Sequence, residues 1–197
     1  MKASILTVYG GPNGSGKSTI TEQHKPTGPY VNADMIQKHL GCTALEAAVN
    51  AEKTRELLLA QGESFTMESV LSTDRNFDLM QRARHSQNYF VHCIYVLTKN
   101  PKINMERVAA RARWGGHDVP PEKVESRYRR ALSKIPQLFK VCDRVEIFDN
   151  SPNRGEGEPT CIVSWENGSL ELFPNNIWNQ EELLTLVEGK YTATYEK

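Results

Sequence analysis

The sequence predicts an α/β fold in which helices cover both faces of a mostly parallel sheet, followed by a C-terminal β-hairpin and a helix. Short apolar segments alternate with helical segments over residues 4–150, which is the pattern of a parallel sheet with crossover helices. After residue 150 the pattern changes, because Asn167-Gly168 stands between two alternating segments as a two-residue hairpin turn. We expect one domain over residues 1–197, with the hairpin and final helix at about 158–190.

The elements follow from local signals. Thr43 with Glu46 three residues later forms a capping box, and Gly62 stops that helix. Pro101 and Pro121 stand in the first turns of two further helices. We expect strands at 4–9, 30–31, 65–67, 89–97, 145–148, 160–165 and 169–173, and helices at 17 onward, 35–40, 43–60, 76–86, 101–114, 121–134 and 178–187.

The charges balance overall but not along the chain. Lys and Arg number 24, as do Asp and Glu, which argues against a general binder of nucleic acids. Residues 101–140 nevertheless carry ten basic against four acidic side chains, and residues 141–197 carry four against eleven. The basic block is either a solvated pair of helices or a cationic wall that faces anionic ligand groups.

Cysteine usage and hydropathy point to the cytoplasm. The four cysteines form no C-x-x-C pair and no cluster with zinc-ligand spacing, so we expect reduced structural residues. No window approaches the roughly 18 apolar residues of a membrane span, and we expect no membrane partner.

One loop carries a phosphate-binding motif. Residues 11–18 match G-x-x-x-x-G-K-[ST] between a predicted strand and a predicted helix, the context that the motif requires. Its backbone N–H groups are expected to surround phosphate oxygens, Lys17 to reach the β- and γ-phosphates, and Ser18 to bind Mg²⁺. The sequence therefore predicts a P-loop NTPase that binds ATP with Mg²⁺ through Gly11, Pro12, Asn13, Gly14, Ser15, Gly16, Lys17 and Ser18.

The loop leaves the fate of the phosphate open. No guanine-reading motif and no transporter signature is present, which leaves a small kinase that phosphorylates a hydroxyl, or an ATP-binding switch that acts through a partner. The basic block also raises phosphorylation of nucleic-acid ends, against which the zero net charge and the lack of an aromatic stacking series argue.

Two carboxylates follow predicted strands at the edge that carries the loop. Asp34 is the candidate base for an acceptor hydroxyl, although it would also serve as a helix cap. Glu68 would contact acceptor hydroxyls or a magnesium-bound water, or be an ordinary charge at a strand end.

Residues 101–135 are expected to form a helical lid. Arg107 and Arg111 share one helix face, and Arg127 lies on the next helix, beyond a turn that contains Gly115-Gly116 and His117. Such a hairpin would bring guanidinium groups over bound phosphates, although a solvated basic helix pair gives the same pattern.

The ordered set of motifs resembles the zeta-toxin family of P-loop kinases. The resemblance runs from residue 4 to about 151 and rests on these segments: Gly11 to Thr19, Asn32-Ala33-Asp34, Met67 to Thr73, Pro101 to Asn104, Arg107 to Arg111, Gly115 to Pro120, Arg127 to Arg130, and Phe148 to Ser151.

The resemblance implies an ATP-dependent kinase that phosphorylates the sugar of a UDP-N-acetyl sugar and is held inactive by an antitoxin protein. Asp34 would be the base, and Lys17 and Arg111 would stabilise the phosphoryl group in transit. The acceptor would be a small molecule bound by Glu68, Ser69, Thr73, His117 and Arg127, and Thr19 would join the nucleotide site.

Two features depart from the family pattern. His117 stands where the toxins that define the activity place an arginine, and an imidazole is a weaker clamp for phosphate. The chain is also shorter than those toxins, so the resemblance carries over kinase activity more firmly than the UDP-sugar acceptor.

Overall fold

The computed structural model describes residues 3–114, 119–152 and 157–193. Within those ranges the strands are β1 Ser4–Gly10, β2 Tyr30–Val31, β3 Phe65–Ser69, β4 Tyr89–Leu97, β5 Arg144–Asp149, β6 Thr160–Glu166 and β7 Ser169–Leu172. The helices are α1 Lys17–Gln23, α2 Ala33–Leu40, α3 Ala44–Gln61, α4 Arg75–Ser86, α5 Pro101–Arg113, α6 Pro121–Ser133, α7 Ile135–Val141 and α8 Gln180–Val187.

The strands form one mixed sheet in the order β2-β3-β1-β4-β5-β6-β7. The first five are parallel to their neighbours, and β6 and β7 continue the sheet as an antiparallel hairpin. Since parallel strands end at the same edge, the segments that follow β1, β2, β3, β4 and β5 all leave from one side of the sheet. The predicted α/β fold is confirmed.

Side chains alternate along the central strands and thereby build two cores. Leu6 and Val8 point to the larger core, against α3, α4, α6, α7 and α8. Tyr9 points to the opposite face and packs with Ile20 of α1. The sheet is therefore covered on both faces, as predicted, with most helical mass on one of them.

One helix was missed, and several boundaries differ from the sequence-based expectation, among them the start of α2 at Ala33 and the end of β3 at Ser69. Helix α7 was not predicted, because Pro136 in its first turn and its short length hide a helical period. The last helix begins at Gln180 and not at residue 178, because Asn179 caps it in a capping box with Glu182. Trp178 precedes the helix and is fully buried in the larger core.

The C-terminal segment holds the loop that follows β4. The Lys99 ammonium lies 4.2 Å from the centre of the Trp178 ring, donates to the carbonyl of Ile177 at 2.7 Å, and pairs with Glu182 at 2.6 Å. The Tyr191 hydroxyl donates to the carbonyl of Lys99 at 2.9 Å. These contacts fix the backbone from which α5 begins.

Helices α5 and α6 have a small apolar cluster of their own. Val108, Val119 and Val124 form it, separate from both sheet cores. In the part of the chain that the structure describes, no helix has both the length and the apolar character needed to cross a bilayer.

The contribution of the α3 capping box to stability can be measured by mutation. Thr43→Ala removes the hydroxyl that accepts from the Glu46 N–H, so we expect it to lower the free energy of unfolding by about 1 kcal/mol in urea denaturation. Thr54→Ala, in the interior of the same helix, is the matched control and should cost no stability. Equal losses in the two variants would contradict the assignment of the cap.

Candidate functional site

A cleft of about 850 Å³ opens at the edge where the parallel strands end. Its lining is strongly cationic, with six Lys and Arg side chains against the carboxylates of Asp34 and Glu68. Twelve of the predicted site residues line it: Asn13, Gly14, Gly16, Lys17, Ser18, Thr19, Asp34, Glu68, Ser69, Thr73, Arg111 and Arg127. Gly11, Pro12 and Ser15 are buried in the loop behind the lining, and His117 lies outside the described residues.

The backbone of the phosphate loop requires glycine, as Gly11 and Gly16 show. Gly11 has a φ of 135°, and a Cβ there would lie 2.0 Å from the carbonyl oxygen of Val96. Gly16 has a φ of 94°, and a Cβ there would lie 1.9 Å from Nδ2 of Asn150. The glycines of the motif therefore stand where the loop backbone passes too close to neighbouring segments for a side chain to fit.

Distant segments hold the loop in place. Buried Asn104 of α5 donates from Nδ2 to the carbonyl of Asn13 at 2.7 Å. Asn150, which follows β5, donates from Nδ2 to the carbonyl of Ser15 at 2.8 Å. The loop is thus fixed from both sides by amides whose own positions depend on the sheet.

Lys17 is buried and points back across its own loop. Its Nζ donates to the carbonyl oxygens of Gly11 at 2.8 Å and Pro12 at 3.1 Å, and it lies 3.8 Å from Oε1 of Glu68. Burial lowers the pKa of Lys17 below its ordinary value, while the charges of Glu68 and Asp34 act to raise it. The phosphate loop and the two predicted carboxylates therefore share one electrostatic environment.

Glu68 is held by a hydrogen-bonded group at the end of β2. The Tyr30 hydroxyl donates to Oε2 of Glu68 at 2.7 Å, and Asn32 Nδ2 donates to the same oxygen at 2.9 Å. Burial raises the pKa of Tyr30, and the charge of Glu68 raises it further, so the phenol keeps the proton that it donates. Oε2 is thus occupied, and Oε1 is the oxygen that faces Lys17.

Asp34 lies in the first turn of α2 and lines the cleft. The cap of that helix is Asn32, whose Oδ1 accepts from the N–H of Asp34 at 2.8 Å and of Met35 at 3.2 Å. The alternative role of Asp34 as the helix cap is therefore filled by another residue. The role of Asp34 as a base stays a prediction.

The segment between β3 and α4 forms the floor beside Glu68. Ser69 Oγ accepts from the N–H of Leu71 at 3.1 Å and from Nδ2 of Asn76 at 2.7 Å, and Leu71 has a φ of 53°. These contacts fix a tight turn that brings Ser72 and Thr73 to the cleft.

The basic side chains of α5 and α6 make different contacts. Arg107 donates to the carbonyls of Asn150 at 2.7 Å and Pro152 at 2.6 Å, so its guanidinium fixes the segment after β5. Arg111 lines the cleft, and its charge acts to lower the pKa of Lys17. Arg127 donates from Nη1 to Oδ1 of Asn13 at 3.3 Å and so reaches the phosphate loop.

The expected magnesium ligand is a single hydroxyl. Ser18 is exposed to the cleft next to Lys17. Within the described ranges no group of three His, Cys, Asp or Glu side chains is arranged to hold a metal. Mg²⁺ keeps several waters and binds phosphates with one or two protein ligands, so this sparse donor set fits it.

Several site residues escaped the sequence analysis. Asn104 and Asn150 lie in segments that carry the family resemblance but belong to no chemical motif. Arg55 lies within an ordinary helical pattern. Tyr30 was predicted only as a strand residue and Asn32 only as part of a resembling segment, although their position at a strand end beside Asp34 was a usable signal. Each acts through a contact with a residue distant in sequence.

Comparison with known proteins identifies the chain. A family model described as "Zeta toxin" matches residues 29–156, which is more than half of the chain. The chain belongs to the zeta-toxin family. The matched range contains Asp34, Glu68, Arg111 and Arg127 and begins after the phosphate loop, so the loop motif is an independent observation.

Individual relatives are distant. An uncharacterized protein of Haemophilus influenzae (strain ATCC 51907 / DSM 11121 / KW20 / Rd) is 28% identical over 134 residues, covering 61% of this chain and 89% of that protein.

Solved structures share the fold of this zeta-toxin family member. A chain from the AvrRxo1-ORF1:AvrRxo1-ORF2 complex with sulphate ions has a TM-score of 0.69 at 16% identity, covering 98% of this chain and 66% of that one. A chain from the PezAT chromosomal toxin-antitoxin system of Streptococcus pneumoniae has a TM-score of 0.57 at 17% identity, covering 96% and 86%. The chain thus spans less than two thirds of the AvrRxo1 chain that it matches.

The pairing of Lys17 with Glu68 predicts a change in titration. Glu68→Gln removes the largest influence that raises the pKa of Lys17, so we expect that pKa to fall further below its ordinary value. An NMR titration that follows the Lys17 side-chain methylene next to Nζ measures it. Glu63→Gln, before β3 at its other end, is the control. An unchanged Lys17 pKa in Glu68→Gln would contradict the described geometry.

Proposed function

We propose that this protein is an ATP-dependent phosphotransferase that moves the γ-phosphoryl group of ATP to a hydroxyl of a small molecule. The observation that carries the proposal is the position of Asp34 and Glu68 in the same cleft as the phosphate loop. A carboxylate in this cleft can take the proton of an acceptor hydroxyl, a step that nucleotide binding alone does not require. Membership of the zeta-toxin family supports the proposal.

The loop supplies the nucleotide half of the site. The main-chain N–H groups of residues 11–18 and the Lys17 ammonium bind the phosphate oxygens of ATP, and Thr19 lines the same wall. Ser18 holds Mg²⁺, which when bound neutralises charge on the β- and γ-phosphates. A neighbour of the same fold, a chain from the AvrRxo1-ORF1:-ORF2 complex, was solved with ATP, which supports this choice of nucleotide.

Asp34 supplies the chemistry of the acceptor half. The acceptor hydroxyl oxygen forms a bond to the γ-phosphorus as the bond from that phosphorus to the β,γ-bridging oxygen breaks and ADP leaves. Asp34 takes the hydroxyl proton, and the lysine and Arg111 stabilise the charge on the phosphoryl oxygens in transit. The charge of Glu68, 3.8 Å from the Lys17 ammonium, favours the protonated form of Lys17.

We propose a small-molecule acceptor and an antitoxin protein partner. The first acceptor to test is a UDP-N-acetyl sugar, which the family resemblance implies, bound with the help of Ser69, Thr73 and Arg127. The PezAT neighbour comes from a toxin-antitoxin system, which supports an antitoxin as a partner of this chain. The four free cysteines suit the reducing cytoplasm.

A transfer assay tests the proposal. The protein is incubated with γ-labelled ATP, Mg²⁺ and, in separate reactions, UDP-N-acetyl sugars, other sugar derivatives and nucleosides. We expect label in a phosphate monoester of one acceptor class. ATP binding with slow hydrolysis and no labelled acceptor would instead support a nucleotide-dependent switch.

The variant Asp34→Asn separates chemistry from binding. Because the amide cannot take the hydroxyl proton, we expect transfer to fall by about a hundredfold or more while the Kd for ATP changes little. Lys17→Ala should weaken ATP binding as well as transfer. Asp78→Asn, an exposed change on α4, is the matched control. Full transfer activity in Asp34→Asn would show that Asp34 is not the base.

A further inference from the structure

A buried arginine stands at the α3 side of the cleft. Ala44, Ala48 and Arg55 form one stripe of α3 that lines the cleft, since they are separated by one and by two helical turns. The two alanines leave room above the helix. Arg55 closes the stripe with only 8% of its surface exposed.

The hydrogen-bonding capacity of Arg55 is largely unused. A guanidinium has five N–H donors. Among the described residues it makes one weak contact, from Nη1 to the Met67 sulfur at 4.0 Å, and its Nε is buried without a hydrogen-bond partner. Buried donors without partners are costly, and they are expected to meet an acceptor in the working protein.

The neighbouring carboxylates are bound to other arginines. Glu52 pairs with Arg75 at 2.9 Å, and Glu56 accepts from Arg82 at 3.0 Å. Burial lowers the pKa of Arg55 below its ordinary value, and the charges of these two carboxylates act in the opposite direction. Neither carboxylate hydrogen-bonds to Arg55. The positive charge of Arg55 is therefore tolerated at this position, and the N–H donors at the edge of the guanidinium plane stay available.

The position of Arg55 assigns it to the acceptor side. Its contact with Met67 places it beside β3, the strand that carries Glu68. Ser72 and Thr73, after β3, line the same cleft. An acceptor that reaches Asp34 with its hydroxyl therefore extends toward a second, cationic contact.

We propose that Arg55 binds an anionic group of the acceptor, a phosphate or a carboxylate, so that the acceptor is an acidic small molecule. Both groups present two oxygens that match the paired N–H donors of a guanidinium. The acceptor is thereby held at two points, and its hydroxyl is oriented toward Asp34. This inference rests on the proposed phosphotransferase function.

Binding at equilibrium tests the inference without any turnover. The full chain is first saturated with Mg²⁺ and a non-hydrolysable ATP analogue, so that the phosphate loop is filled. Inorganic phosphate and acetate are then titrated separately and followed by NMR. We expect one of these anions to bind saturably to the wild type, which also tells a phosphate acceptor from a carboxylate one.

Variants locate the anion. Arg55→Gln should weaken anion binding by about tenfold or more. Arg55→Lys should bind with intermediate affinity, because it keeps the charge and loses the planar fork. Lys53→Gln removes the same charge from an exposed position of the same helix and should leave the affinity unchanged. If Arg55→Gln does not fold, as judged by circular dichroism, the comparison of Arg55→Lys with wild type decides.

The inference is overturned if neither anion binds the nucleotide-saturated wild type, or if replacement of Arg55 leaves the affinity at the wild-type value. Its failure is distinct from that of the proposed function. A protein that binds the anion through Arg55 yet transfers no phosphate keeps the anion site and loses the kinase. A protein that phosphorylates only uncharged acceptors keeps the kinase and loses the anion site.

Discussion

The buried Lys17 ammonium is the constraint on which the site depends. A lysine that loses its water must find acceptors, and the loop carbonyls of Gly11 and Pro12 supply two of them. Glu68 supplies the opposing charge, and Tyr30 and Asn32 hold Glu68 in turn. The end of β2, the end of β3 and the loop after β1 are thereby tied into one unit at the cleft.

Three further side chains stabilise this unit by donating hydrogen bonds to main-chain carbonyls. Asn104 and Asn150 hold the phosphate loop through its carbonyls, and Arg107 holds the segment that carries Asn150. The C-terminal segment fixes Lys99, just before α5 begins. The segment around α8 therefore affects the site indirectly, because it fixes the backbone from which α5 starts.

Much of this arrangement could be predicted because its signals are local. The phosphate loop is a contiguous motif, and the capping box of α3 spans four residues. The strands next to Asp34 and Glu68 can each be predicted from their own residues. Arg107 shows the limit of such reasoning. Its spacing from Arg111 predicted a shared helix face, and both arginines line the cleft, but the contacts of its guanidinium with main-chain carbonyls after β5 had no sequence signal. Arg55 gave no signal, since its burial and its free donors depend on how α3 lies against β3.

The proposed transfer requires the γ-phosphate of bound ATP to point toward Asp34. The most direct measurement is a crystal structure with Mg²⁺ and a non-hydrolysable ATP analogue, in which the distance from the γ-phosphorus to the nearer Asp34 carboxylate oxygen is read. An interposed hydroxyl within attack distance of phosphorus and hydrogen-bonded to the base requires about 5–6 Å, which is the predicted result. A γ-phosphate directed away from Asp34, with a separation beyond about 10 Å and no room for an acceptor between them, would contradict it.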